Sequence, residues 1–341
     1  MISLGLALVF SPFILDNSYL DKIEAADLKR MVSFLASDDL KGRNTPSPGL
    51  DMAADFIAAE FKKAGVKPGN AGSYFQLAEW TRGKKADQEG MGPTVRNVIG
   101  IIPGTDPVLS KQYVIVTGHY DHLGEDKLTD TNAGADRIYN GANDDGSGTA
   151  GVMEIGRALA EEKPKRTIVL ITWFGEEKGL VGSNYYVTHP IFPLKDTVAN
   201  INLEQIGRTD DLEGPRVNAG SLTGFNFSSI GMTFAAVGKA MGTEISGHPT
   251  SSASFFGRSD NVSFARFGIP AHTLCTAFVY PDYHKVSDHF DKLDYVNMAQ
   301  IVKVSAATLM EIANSASKPT WNKDEPAAAR YMEAAAKLAG G

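Results

Sequence analysis

The chain has 341 residues, 43% of them hydrophobic, and its 33 basic and 40 acidic side chains leave a net charge of -7. That is enough apolar material for a large core, and α/β enzymes of this length run as one domain. The acidic balance and scattered lysines and arginines exclude the basic face that nucleic-acid binding needs, while the single cysteine, Cys275, excludes an intramolecular disulfide and a Cys-rich zinc motif.

Met1 to Leu15 is almost wholly apolar, too short to span a bilayer and about as long as a signal-peptide core. It lacks a basic start, because the first Lys or Arg is Lys22. Residues 1–20 are therefore read as an apolar N-terminal segment, either a signal remnant or a strip packed on the domain. The first reading implies a secreted or periplasmic protein, the second allows a cytoplasmic one. No other stretch is apolar enough for stable membrane insertion.

Helical spacing of apolar residues predicts helices over Asp21–Leu40, through Leu28, Met31, Val32 and Leu35, and over Leu50–Ala64, closed by Gly65. Residues 78–94 are polar and Gly-rich and read as a loop. Arg96–Ile102 and Gln112–Thr117 read as strands. A helix starts at Ser147 or Thr149 and runs through Val152, Ile155 and Leu159. Lys163, Lys165 and Arg166 read as a solvated turn before Thr167–Phe174, whose almost unbroken apolar run marks a strand buried on both faces. Val198–Leu203 repeats that signature, Ala271–Thr276 is a further strand, and Val296–Ala313 is an amphipathic helix. Cys275, after Leu274, reads as a small buried apolar residue. Residues 318–341 form a tail ending in a surface helix, Ala327–Ala339, leaving 21–317 as the main domain. The alternation of strand and helix predicts an α/β fold, a three-layer α/β/α sandwich around a mixed, largely parallel central sheet. Ligands gather beyond the carboxyl ends of strands in such sheets.

Five short segments carry the chemistry: Gly118-His119-Tyr120-Asp121, Asn143-Asp144-Asp145-Gly146, Gly175-Glu176-Glu177, Asn202-Leu203-Glu204 and Tyr283-His284. His119, Glu176, Glu177 and Glu204 stand at strand ends. Asp121 either accepts the second ring N–H of a metal-bound His119 or is an ordinary turn residue. His122 is a competing ligand, pointing away if His119 faces the site. Adjacent carboxylates at Asp144-Asp145 repel phosphate, so this Gly-rich turn suits a cation unless it is a bare acidic turn. Of Glu176 and Glu177, one can bind metal while its neighbour acts as general base. His284 by itself reads as an exposed loop histidine. Together, carboxylates and imidazoles at five positions suit two zinc ions sharing a bridge better than one closed site.

The set resembles the co-catalytic dizinc aminopeptidase family of the bacterial leucyl aminopeptidases, with glutamate carboxypeptidase and the transferrin receptor as more distant members. The resemblance covers residues 25–315 and all five segments. It implies two Zn2+, with His119 and Glu204 on the first, Glu177 and His284 on the second, and Asp144 bridging. It also implies Glu176 as base, Asp121 as the partner of His119, Tyr283 as an oxyanion donor and a cis peptide between Asp144 and Asp145. Many relatives carry Asp where Glu204 stands. Arg258-Ser259-Asp260 and Gly268-Ile269-Pro270-Ala271 also resemble the family and imply a structural or substrate-wall role. Residues 78–94 are too few for the protease-associated domain that some members insert there. The implied activity is zinc-dependent exopeptidase hydrolysis through a metal-bridging hydroxide, on peptides with a free N-terminus. The alternatives are a glutaminyl cyclase using one zinc, a glutamate carboxypeptidase-like enzyme drawing on Arg208 or Arg258 for an acidic residue, and a receptor-like member without catalysis. Side-chain preference and oligomeric state are not encoded in these motifs.

Overall fold

The computed structural model describes residues 17–81, 92–129, 131–248 and 250–340. The expected signal remnant in residues 1–16 and loop across residues 82–91 lie outside them. The strands are β1 (Lys67–Pro68), β2 (Phe75–Glu79), β3 (Thr94–Ile102), β4 (Tyr113–His119), β5 (Gly124–Glu125), β6 (Ile138–Tyr139), β7 (Thr167–Trp173), β8 (Thr197–Leu203), β9 (Ala219–Leu222), β10 (Glu244–Ser246) and β11 (Ala271–Cys275). The helices are α1 (Ala25–Leu35), α2 (Pro48–Ala64), α3 (Gly148–Leu159), α4 (Val181–Thr188), α5 (Ser229–Ala240), α6 (Ser252–Phe255), α7 (Asn261–Ala265), α8 (Tyr295–Asn314) and α9 (Ala329–Gly340).

Nine strands form one mixed sheet in the order β1-β3-β7-β4-β8-β11-β9-β10, with β2 also on β3, while β5 and β6 pair as a separate ribbon. The centre, β7-β4-β8-β11, is parallel, and β1, β2 and β3 are antiparallel additions at one side. Side chains alternate along the central strands with the period of two that extended backbone imposes. Val114, Val116, Ile168 and Leu170 enter one core layer with α1, α2, α3 and α8. Ile115, Val169, Ile171 and Trp173 enter the other, with Tyr186 of α4, Phe264 of α7 and Tyr331 of α9. The uninterrupted apolar run of β7 follows from this: every residue of the strand is buried, and helices cover both faces.

Local signals set the helix ends. Ser47 Oγ accepts from Leu50 N at 3.1 Å, Pro48 occupies the first turn, and Gly65 ends α2 in the left-handed region at φ 82°. The helix expected over Asp21–Leu40 is shorter: α1 is flanked by 3-10 turns at Ser18–Lys22 and Asp38–Arg43. β2, β9, β10, α4, α5, α6 and α7 were not expected, although Ser228 capping Ile230 N at 3.2 Å is a sequence-level start signal for α5.

Two expectations on single residues change. Arg166 is not solvated; its side chain is buried and donates to Gln112 Oε1, Ile312 O and Ser315 O at 2.8, 2.9 and 2.5 Å, tying β7 to the end of α8. The C-terminal helix is exposed on most of its surface, but Tyr331 is buried, stacks on Trp321 with ring centroids 5.0 Å apart, and packs on Phe256 at 5.2 Å. Replacing Arg166 by Met should lower stability by about 2–4 kcal/mol, because it strands buried carbonyls without donors. Urea denaturation checks this; a midpoint equal to that of the unaltered chain contradicts it.

Candidate metal centre and active site

The parallel centre of the sheet carries four chain segments out at the same edge. β4 delivers His119, β7 leads into Glu176 and Glu177, β8 into Glu204, and β11 ends at Cys275 beside the same cavity. The cavity holds about 400 Å³. Asp144, Glu176, Glu177, Glu204, Tyr283 and His284 line its polar side, and Leu180, Phe255, Phe278 and Val279 line an apolar side.

His119 is fully buried. Its Nδ1 lies 3.2 Å from Asp121 O and 3.5 Å from Asp121 Oδ1, which leaves Nε2 to face Asp144 Oδ1 at 3.3 Å and Glu176 Oε2 at 4.0 Å. Asp121 Oδ1 also accepts from Glu176 N at 3.0 Å and its Oδ2 from Thr45 Oγ1 at 3.2 Å, so one carboxylate orients both the imidazole and the glutamate pair. Asp144 is reached from both sides, since its Oδ2 lies 3.1 Å from His284 Nε2. Glu177 Oε1 lies 3.3 Å from His284 Nε2 and 3.0 Å from His122 Nδ1. Tyr283 stacks on His284 at a centroid distance of 4.0 Å. Glu204 accepts from Asn202 Nδ2 at 3.4 Å, and Asn202 is itself held by Ser259 and Thr273.

Among the described residues, two groups have ligand atoms close enough to share an ion: His119, Glu176 and Glu204, and His122, Asp144 and Glu177. Hence His122 does not point away; its ring faces Glu177 together with His284, since the turn at Asp121 carries the chain back under the site. Glu176, expected as base alone, stands beside His119 and Glu204. The Asp144–Asp145 peptide is cis, as the resemblance implies. The two aspartates have different tasks. Asp144 faces the cavity, whereas Asp145 is buried and accepts from His119 N, Gly148 N and Gln205 N at 3.1, 2.8 and 3.2 Å. Asp288, also missed in the sequence, accepts from Asn143 N, Asp144 N and Tyr280 hydroxyl at 3.0, 3.2 and 3.0 Å and so fastens the loop of His284 to the Asp144 turn. Its only sequence signal is its place four residues after His284. Arg208 is occupied by Asp210 and Asp282 at 2.6 and 2.8 Å. Arg258 and Ser259 line the cavity, and Arg258 lies over the Phe255 ring at 4.6 Å. Asp260 is buried behind them and accepts from Ser183 Oγ at 2.5 Å.

The protonation balance shows what the site is built to hold. Burial pushes the Glu176 carboxyl well up; His119 opposes this, and Glu204, Asp260 and Glu177 add to the rise. Burial, with Asp144 and Asp260 adding to it, raises Glu204 to about 7. Burial disfavours the charged His284, but Asp144 and Glu177 outweigh it and raise the imidazole to about 10. Burial would raise Glu177, yet His122 and His284 hold it at about 2. His119 Nε2, His122 Nδ1 and Glu177 Oε1 are buried and meet their polar neighbours at 3.0–3.3 Å without hydrogen-bond geometry, and His122 Nε2 is buried with no hydrogen-bond partner. Buried polar atoms are seldom left so, and a set of imidazole nitrogens and carboxylate oxygens is what zinc takes. The residues fit a zinc site.

Comparison with known proteins agrees with this chemistry. A model of peptidase family M28 matches residues 97–309. The chain belongs to peptidase family M28. A probable zinc metalloprotease of Pyrenophora tritici-repentis is 36% identical over 187 residues, covering 54% of this chain and 36% of that protein. Aminopeptidase YwaD of Bacillus subtilis is 26% identical over 238 residues, 68% of this chain and 48% of its own length. The chain thus spans about half or less of these relatives. Among solved structures, the LapA aminopeptidase of Legionella pneumophila superposes with a TM-score of 0.67 at 21% identity, over 88% of this chain and 75% of that one. Glutaminyl cyclase of Porphyromonas gingivalis superposes with a TM-score of 0.61 at 16% identity, over 84% and 98%. Both show the shared fold.

Zinc needs a neutral imidazole and ionised carboxylates. With its pKa raised to about 10, His284 carries a proton at pH 7 in the metal-free protein, and Glu204, at about 7, is near half-protonated. Zinc binding at pH 7 should therefore release at least about one proton per chain, and affinity should fall as pH falls. Calorimetry in buffers of different ionisation enthalpy measures the release; a binding heat independent of buffer contradicts it.

Proposed function

We propose that the protein is a zinc-dependent aminopeptidase that removes single residues from a free N-terminus. The observation that carries the reading is the position of Asp144, 3.3 Å from His119 and 3.1 Å from His284, so that one carboxylate serves both halves of the ligand set. Asp144, Glu177, Glu204, His119 and His284 would hold two zinc ions, with His122 and Glu176 as the nearest further donors. Zinc held there supplies Lewis acidity and lowers the pKa of water.

The chain's own groups supply the rest. Glu176, its main-chain N–H fixed by Asp121 and its carboxyl pushed upward, is suited to take a proton from the attacking water and pass it to the leaving amine. Asp121 keeps the His119 ring in one orientation. Tyr283, stacked on His284 at the cavity wall, would donate a hydrogen bond to the developing oxyanion. The carboxylate-rich floor favours a substrate ammonium, and the wall of Leu180, Phe255, Phe278 and Val279 favours an apolar first side chain. Membership of M28 supports peptide hydrolysis. The pairing of Arg208 with two aspartates speaks against a basic pocket of both arginines for an acidic C-terminal residue.

The Glu176→Gln variant should fold, bind close to two zinc ions per chain, and lose about 100-fold or more of kcat, since it removes a base and keeps the other donors. Metal analysis beside turnover tests it. Near-normal turnover overturns the role of Glu176, and loss of zinc from this variant makes Glu176 a ligand first.

Leucyl-p-nitroanilide should be hydrolysed about 30- to 1000-fold better in kcat/KM than its N-acetyl form, because acetylation removes the ammonium and leaves a buried carboxylate unpaired, costing about 2–4 kcal/mol. Equal rates on both would exclude the aminopeptidase reading. Cyclisation of glutaminyl substrates without hydrolysis would place the chain with the cyclases.

A further inference from the structure

The Arg43 side chain is one of the largest fully buried among the described residues, and it hydrogen-bonds to no carboxylate, although Asp121, Asp288, Asp144 and Asp145 lie near enough to favour its charge against the cost of burial. A buried guanidinium without a paired anion is costly unless its donors are all met. Here they meet backbone carbonyls only. Nε donates to Tyr120 O at 2.8 Å, Nη1 to Asn140 O at 2.6 Å and to Leu35 O, and Nη2 to Gly141 O at 2.9 Å. Tyr120 directly follows His119, and Gly141 precedes Asp144 by three residues. One rigid fork therefore spans the two loops that carry these side chains and ties both to the end of α1.

The chain around Arg43 is shaped for this task. Lys41, Gly42 and Arg43 are all left-handed, at φ 50°, 66° and 47°, a strained run for two side-chain-bearing residues. At Gly42 a Cβ would stand 2.3 Å from Gly124 O and 2.6 Å from Tyr139 O, at the ribbon that joins the same two loops. Arg43 O accepts from His122 N at 3.2 Å, and Thr45 Oγ1 donates to Asp121. Leu35, Lys41, Gly42, Arg43 and Thr45 lie outside the stretch matched by the family model.

We propose that Arg43 is the positioning residue of the metal centre: its guanidinium sets the separation of the His119 strand end from the Asp144 turn, and through it the affinity for zinc. The proposal rests on the zinc-peptidase reading. Geometry, rather than charge, is the operative property. A cation near the site repels zinc, so charge alone predicts tighter binding when Arg43 is lost, whereas loss of the fork predicts weaker binding. Lysine keeps the charge but cannot reach four carbonyls in a plane.

The test compares Arg43→Lys and Arg43→Gln with Arg166→Lys, which alters a second buried arginine bonded to backbone far from the site. Each variant is titrated with zinc against a competing chelator, beside its thermal midpoint and leucyl-p-nitroanilide kinetics. Both Arg43 variants should hold zinc at least about 10-fold more weakly and lose kcat with KM within about threefold, while Arg166→Lys loses stability with unchanged zinc affinity. Unchanged affinity in Arg43→Lys, or tighter binding in Arg43→Gln, overturns the proposal. Should neither variant fold, the unaltered chain still decides. Coupling is reciprocal, so zinc must slow amide exchange across residues 38–45 as well as 119–122 and 140–146, and a segment 38–45 indifferent to zinc overturns it. An unaltered chain that binds no zinc overturns the peptidase reading itself; in that case Arg43→Lys must still speed exchange at both loops together, or the clamp falls as well.

Discussion

The structure depends on holding like charges together out of water. Asp144, Glu176, Glu177 and Glu204 converge on one cavity with His119, His122 and His284 among them. Burial disfavours every one of these carboxylates; the histidines hold Asp144 and Glu177 ionised, whereas Glu176 and Glu204 are pushed toward protonation. The raised carboxyls of Glu176 and Glu204 and the raised imidazole of His284 express that cost. Left to itself such a cluster would move apart. The fold prevents this by fixing the backbone rather than the side chains.

Three further aspartates do most of that fixing, and none is counted among the ligands. Asp145 gathers main-chain N–H groups from β4, the start of α3 and the segment after β8. Asp288 gathers those of the Asp144 turn, and Asp121 joins the His119 ring to the Glu176 backbone. Hydrogen bonds from backbone to a buried carboxylate are among the stronger neutral-to-charged contacts, and their geometry is set by the chain. The ligand loops are thereby held before any cation arrives, which is the preorganisation a precise site requires. Arg43 belongs to the same scheme with the opposite polarity, since it collects carbonyls where the aspartates collect N–H groups.

The apolar wall of the cavity belongs to a different part of the fold. Phe255 and Arg258 lie on the segment around α6, and its neighbour Phe256 packs on Trp321 and Tyr331 of the C-terminal tail. A helix that reads as a bland surface element thus supports one wall of the cavity. Tyr331 is the fully buried residue through which this helix makes that contact.

The central strands and the helices α2, α3 and α8 were legible because burial on one or two faces imposes a period on the residues themselves. β7 is apolar throughout because helices cover both of its faces, and α2 announces its ends with Ser47, Pro48 and Gly65. The strand-end acids were legible too, since a carboxylate directly after a buried strand has no packing reason to be there. Short pieces such as β10 and α4 were not, because three residues of strand or one helix rich in tyrosine, serine and asparagine carry too little periodicity. The direction of His122, the separate duties of Asp144 and Asp145, the burial of Arg166 and the placement of Arg43 were decided by tertiary structure alone. Each depends on which backbone groups from distant segments meet in space, and local residue chemistry does not record that. Sequence determined the kinds of ligand and the strands that bear them; only the packed fold determined their distances, and the distances select the chemistry.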